Sequence, residues 1–145
     1  MAEGDLTIGR LARETGCKVQ TIRYYEQIGL IPPPPRSEGN QRLYRPEHLD
    51  RLAFIRHSRE LGFSLKAIRE LLSLVDNPDQ PCSNADQIAR THLQGVETRL
   101  ARLTALKCEL ERMVDQCRGG RIADCRVVQV LADHTHCLTD DHGLA

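Results

Sequence analysis

At 145 residues, with 20 Lys+Arg balanced by 20 Asp+Glu, the chain has room for one small core plus an elongated element; two large cores are excluded, and so is a membrane span, because no apolar run is long enough. The start MAEGDLTIGR lacks a secretory signal, so a cytoplasmic location is expected, where six cysteines point to metal or thiol chemistry rather than to disulfide staples. The zero net charge conceals an asymmetry, since residues 1–75 carry 12 Lys+Arg against 9 Asp+Glu and the remainder 8 against 11, which places any phosphate-binding surface in the N-terminal half.

The first helix is predicted from Thr7 as N-cap, with Ile8, Leu11 and Ala12 on one face and Gly16 as its stop. A second runs from about Lys18 to Ile28, with Val19 and Ile22 inward and Gly29 beyond its end. Two short helices with a tight glycine-containing connection form a helix-turn-helix pattern. Pro32–Pro35 then make a stiff extended spacer, and Gly39-Asn40 reads as the turn of a small β-wing carrying Arg36, Arg42 and Tyr44. Pro46 suits the first position of a third helix, with Leu49, Leu52 and Ala53 inward and an end near Gly62. Ser64 caps a fourth, striped by Ile68, Leu71, Leu72 and Val75 and broken by Asn77-Pro78.

From Ser83 to about Cys117 the pattern is that of one long helix, opened by the capping-box-like Ser83-Asn84-Ala85-Asp86 and stopped by Gly119-Gly120. Ala89, Val96, Leu103 and Leu110 recur every seven residues, with Leu93 and Leu100 in the alternate seam position and an interruption at Lys107. Such a seam requires a partner helix, and no other segment is long enough to supply one. Homodimerisation is the expected answer. The predicted organisation is a DNA-binding domain over 1–75, a linker over 76–82, a dimerisation helix over 83–117, a metal-binding loop and short helix over 118–133, and a His/Cys-containing tail over 134–145. The fold class is mainly α: a winged helix-turn-helix followed by a long antiparallel coiled-coil helix and a short C-terminal metal-binding loop and helix.

Lys18, Gln20, Thr21, Arg23 and Tyr24 lie at or near the start of the second helix, where their side chains reach base edges or phosphates if that helix enters a major groove. A polar helix face by itself is equally a solvated surface. The wing residues Arg36, Asn40, Arg42 and Tyr44, with the local basic excess, tip the reading towards double-stranded DNA.

Cys82 precedes the long helix and Cys117 ends it, about 50 Å apart along one helix at 1.5 Å per residue. They cannot share a ligand within one chain. In an antiparallel pair, however, Cys82 of the partner subunit approaches Cys117 and Cys125, giving a three-thiolate site across the interface. Thiolates select soft or borderline ions, Zn(II), Cd(II), Pb(II), Hg(II) or Cu(I). Packing of Cys82 and Cys117 as small apolar side chains is the plainer alternative. A second metal group is conceivable from His92 with His134, His136 and Cys137, although such tails often bind metal adventitiously. Cys17 and Cys108 read as structural. No Gly-rich phosphate loop, Ser-His-Asp set or spaced carboxylate pair supports an enzyme.

The stretches Thr7–Ala12, Thr21–Glu26, Gly39–Tyr44 and Phe54–Arg56 occur in the order and form of the MerR family of bacterial regulators, and the resemblance extends over roughly residues 5–133. It implies a dimer bound at promoters whose −35 to −10 spacer is too long, with an induced form that distorts the DNA so that RNA polymerase engages both elements. Cys82, Cys117 and Cys125 match the cysteines of members that sense divalent soft ions; copper(I) and silver(I) sensors typically carry Ser where Cys82 stands. The Cys117-to-Cys125 loop length also resembles that of the copper sensors, so a monovalent sensor is the main alternative. Zinc sensors often place an extra Cys or His where this chain has Arg118, Gly119 and Arg121, and cadmium sensors use helix and tail histidines, an arrangement that His92, His134, His136 and Cys137 resemble. The remaining rivals are a thiol-redox regulator using Cys117 and Cys125 and a sensor of an organic ligand, for which too little chain follows Cys117.

Overall fold

The computed structural model describes residues 5–117, 119–133, 135 and 137. Among the described residues its elements are the α-helices α1 (Ile8–Thr15), α2 (Val19–Gln27), α3 (Pro46–Glu60), α4 (Leu65–Val75), α5 (Ser83–Gln116) and α6 (Arg126–Ala132), with a 3₁₀ turn at Ile122–Asp124. The chain divides into two units, Met1–Ile88 and Ala89–Ala145. Among the described residues no helix is long and apolar enough to cross a membrane.

In the first unit, local signals in the sequence start and stop the helices. Thr7 is extended and its hydroxyl accepts from the Arg10 N–H, while Gly16 ends α1 in the left-handed region at φ 65°. Ser64 caps α4 through the Ala67 N–H, and Pro46 occupies the first turn of α3, where its missing N–H would be unpaired in any case. The helices enclose one core: Leu6, Leu11, Ile22, Tyr25, Leu30, Ile31, Tyr44, Leu52, Ile55, Ile68 and Leu72, with Ile8, Ala12, Cys17, Leu49 and Phe63 packed at its edge. Each fully buried aliphatic side chain contributes about 1.5–3 kcal/mol, so this cluster fixes the helices relative to one another.

The inward face of α3 differs from the expectation: Ala53 is exposed, and the buried positions are His48, Leu52, Ile55 and Ser58. They follow the same helical period with the inward face rotated, so that Ile55, about 200° around the helix from Ala53, points into the core. Val75 is likewise exposed at the end of α4. The wing is also simpler than a strand pair. Isolated antiparallel bridges, Arg36 with Arg42 and Leu6 with Tyr44, replace ladders. Pro32–Pro35 cannot donate, so the hairpin closes through Ser37 N to Gln41 O and Leu43 N to Pro35 O, both 2.8 Å, around Asn40 at φ 60°.

The helix α5 runs unbroken for 34 residues, through Lys107, which pairs with Glu111 one turn on. It begins at Ser83 itself, so Cys82, and not Ser83, takes the cap position; the Cys82 carbonyl accepts the first bond, from Asp86 N at 2.9 Å. Leu93, Val96, Leu100, Leu103, Leu110 and Val114 are all exposed along the helix. In the second unit Glu109, Met113 and Val130 are buried, and Arg126 Nε donates to Gln116 Oε1 at 2.9 Å, tying the start of α6 to the end of α5.

Candidate nucleic-acid interface and thiol pair

Of the DNA-reading candidates on and before α2, Lys18, Gln20, Arg23 and Tyr24 are exposed and Thr21 is half-buried, while Ile22 and Tyr25 on the opposite face enter the core. One helix therefore presents an outward polar row above an apolar base. Gln20, Thr21 and Tyr24 also line a shallow hollow together with Arg59 of α3 and Leu65 of α4. Arg59 was not apparent from the sequence as a member of this surface, because nothing local marks α3 as a neighbour of α2.

In the wing, Arg36 is exposed and its Nη1 donates to Asn40 Oδ1 at 2.8 Å, so these two candidates brace the turn together. Arg42 pairs with Glu26 of α2 at 3.4 Å. Tyr44 is a correction: its side chain is fully buried, its hydroxyl donates to Glu26 Oε1 at 2.5 Å, and burial followed by that bond raises its pKa. It fastens the wing to α2 and is not presented to DNA. Glu26, which the sequence did not single out, is the common anchor.

The basic excess of the N-terminal half is partly absorbed by the fold. Arg51 Nε donates to Leu30 O at 2.7 Å, Arg69 Nη2 to Ile28 O at 2.6 Å and Arg56 to Thr15 O, so three guanidinium groups satisfy carbonyls at or just beyond the ends of α1 and α2. Lys18, Arg23 and Arg36 remain exposed on this unit.

A second constellation lies in the second unit. Cys117 follows the last turn of α5, and Gly119 and Gly120, at φ 71° and 109°, turn the chain so that Cys125 returns beside it at the head of α6. Cys125 makes no capping hydrogen bond in the strict sense, but the backbone N–H of Val128 lowers its pKa, assisted by the Val127 N–H and the adjacent Cys117 thiol and opposed by desolvation. Two soft donors adjacent in one loop fit a soft metal ion. Cys82 is exposed at the opposite end of α5, and among the described residues no three His, Cys, Asp or Glu side chains of one chain converge. His92 and Cys137 are half-buried; His134 and His136, the other members of the expected second metal group, lie outside the described residues. Cys17 packs at the core edge and Cys108 is exposed on α5.

The outward α2 row, the braced wing and the helical core are those of a helix-turn-helix DNA-binding fold. Residues 6–74 match the family description "MerR HTH family regulatory protein" and residues 49–113 match "MerR, DNA binding"; the chain belongs to the MerR family. It is similar to the HTH-type transcriptional regulator ZntR of Escherichia coli, 44% identical over 127 residues that cover 86% of this chain and 90% of that protein. It is also similar to the regulator CueR of Vibrio cholerae, 33% identical over 89% of this chain and 93% of that one. Among solved structures it resembles the transcription regulator PbrR691 of Ralstonia metallidurans in complex with lead(II), with a TM-score of 0.77 and 40% identity over 87% of this chain and 98% of that chain.

Proposed function

We propose that this MerR-family protein is a metal-responsive transcriptional regulator that binds promoter DNA as a homodimer and activates transcription by distorting the DNA when it takes up a divalent soft ion, zinc, cadmium, lead or mercury. The genes it controls are then those of metal resistance or efflux, read by RNA polymerase at the distorted promoter. The observation that carries this reading is the pairing of Cys117 with Cys125, supported by the glycine turn and by the amides that favour the Cys125 thiolate. The exposed seam of α5 supports a second copy, whose Cys82 would complete a three-thiolate set. Likeness to the lead(II) complex supports a divalent ion. A bound ion would supply positive charge to thiolates that otherwise repel one another; the chain's own part is to hold the sulfurs at the two ends of α5 and to connect Cys82 through residues 76–82 to the DNA-reading unit.

A two-thiol site within one chain also suits monovalent Cu(I), a reading favoured by the adjacency of Cys117 and Cys125. Anaerobic titration of the reduced dimer with Zn(II), Cd(II), Pb(II), Hg(II) and Cu(I), following thiolate-to-metal charge-transfer absorption beside a Cys82→Ser control, separates the two. Divalent binding that collapses in Cys82→Ser supports the intersubunit site. Tight Cu(I) binding indifferent to that change supports the monovalent sensor, and absence of tight binding returns the pair to thiol-redox chemistry.

A further inference from the structure

Arg51 occupies a place that neither DNA reading nor metal binding assigns. From α3 its Nε donates to Leu30 O, in the turn that closes α2, and its Nη1 pairs with Asp76 Oδ1 at 2.7 Å, at the C-cap of α4. The Leu30 and Ile31 N–H groups both bond back to Tyr25 O, so that turn is continuous with the recognition helix α2. Asp76 in turn opens the linker to Cys82, which is short and stiffened by Pro78, Pro81 and the bonds Asn77 Nδ2 to Ser73 O and Gln80 N to Asn77 O. One guanidinium thus spans the end of the DNA-reading helix and the root of the segment that carries a proposed metal ligand.

We propose that Arg51 is a positioning residue that couples displacement of the Asp76–Cys82 linker to the orientation of α2, with Asp76 as its linker-side handle. The inference rests on the reading of Cys82 as a metal ligand. Movement of Asp76 shifts the fork of the guanidinium, and the planar fork carries that shift to Leu30 O because both acceptors are held by one rigid group. Coupling of this kind is a free-energy difference between two arrangements of a contiguous network. Asp76 is about half exposed, which limits the share of coupling carried by the pair to a few-fold.

The test is amide hydrogen exchange over Ile28–Ile31 of the full dimer, with and without Cd(II), in wild type, Asp76→Ala and Asp76→Glu, with Cd(II) affinity measured on each. The expected result is a Cd(II)-dependent change in exchange in wild type that falls about twofold or more in Asp76→Ala and returns in Asp76→Glu, at unchanged Cd(II) affinity. A purely structural pair would shift exchange equally with and without metal. An equal metal response in Asp76→Ala, or a wild type that binds Cd(II) without response at these amides, overturns the proposal. A wild type that binds no Cd(II) here, and no Zn(II), Pb(II) or Hg(II) in the titration above, overturns the divalent-metal reading and this inference with it. If Asp76→Ala fails to fold, Arg51→Lys, whose ammonium reaches one acceptor and not both, gives the same comparison.

Discussion

The Tyr44 hydroxyl and the Glu26 carboxylate, 18 residues apart in sequence, meet at 2.5 Å and join the wing to α2. Tyr44→Phe keeps the ring in the core and deletes the donor to a carboxylate, so a loss of about 1.5–3 kcal/mol is expected in urea unfolding. Because Tyr44 faces the core, the salt dependence of operator binding, which counts phosphate contacts, should be unchanged. The phenol pKa is raised in the folded state, so stability is complete below the ordinary phenol range and declines as pH rises above about 10. Tyr44→Phe should flatten that alkaline decline. A reduced salt slope in the variant would put Tyr44 back on the DNA.

Arg23 stands exposed on α2 beside Ile22, which is fully buried. Arg23→Ala should weaken specific operator binding by about 1–3 kcal/mol while leaving metal stoichiometry and unfolding unchanged, as read by fluorescence anisotropy and metal titration. An operator affinity of Arg23→Ala equal to that of wild type would remove Arg23 from the reading surface.

Leu100, 63% exposed at the middle of α5, sits in the unpartnered apolar seam. Leu100→Lys should convert a dimer to monomer in analytical ultracentrifugation, because two buried ammonium groups would face each other across the seam. An unchanged sedimentation coefficient would mean that the seam is covered in some other way.

The Cys125 thiol ionises below the usual thiol range, first because of the Val128 N–H. Its rate of alkylation by iodoacetamide in the metal-free reduced protein should therefore rise with a midpoint below that of the same residue in urea. The shift should largely survive Cys117→Ala, since the Cys117 thiol favours the thiolate less than the Val128 and Val127 amides do. A midpoint that coincides in folded and unfolded protein would contradict the amide arrangement at the head of α6.

Helix boundaries were legible where the cause is local: Thr7, Gly16, Pro46 and Ser64 act within one turn. The wing turn at Asn40 was legible too, but not the lack of strands around it, which reflects how few donors the proline run leaves. What the sequence could not disclose is long-range: the partners of Arg51, Arg56 and Arg69 lie 21 to 41 residues away, so charge that reads as a DNA-facing excess is spent on helix-end carbonyls. Ala53 and Ile55 lie on similar apolar patterns, and only packing against the other helices chooses between them. The approach of Cys117 to Cys125 was foreshadowed by the glycines, whereas the amides behind Cys125 depend on where α6 begins.

Gly16 stands where the turn of the helix-turn-helix meets Arg56: a Cβ there would lie 2.2 Å from the Arg56 guanidinium, at a backbone φ of 65° that side chains rarely adopt. Evolutionary drift in this turn is therefore channelled. In a library randomising residues 15–18 and selected for operator occupancy, glycine should predominate at position 16 even in clones that shorten the side chain at position 56, because the left-handed backbone stays strained for other residues.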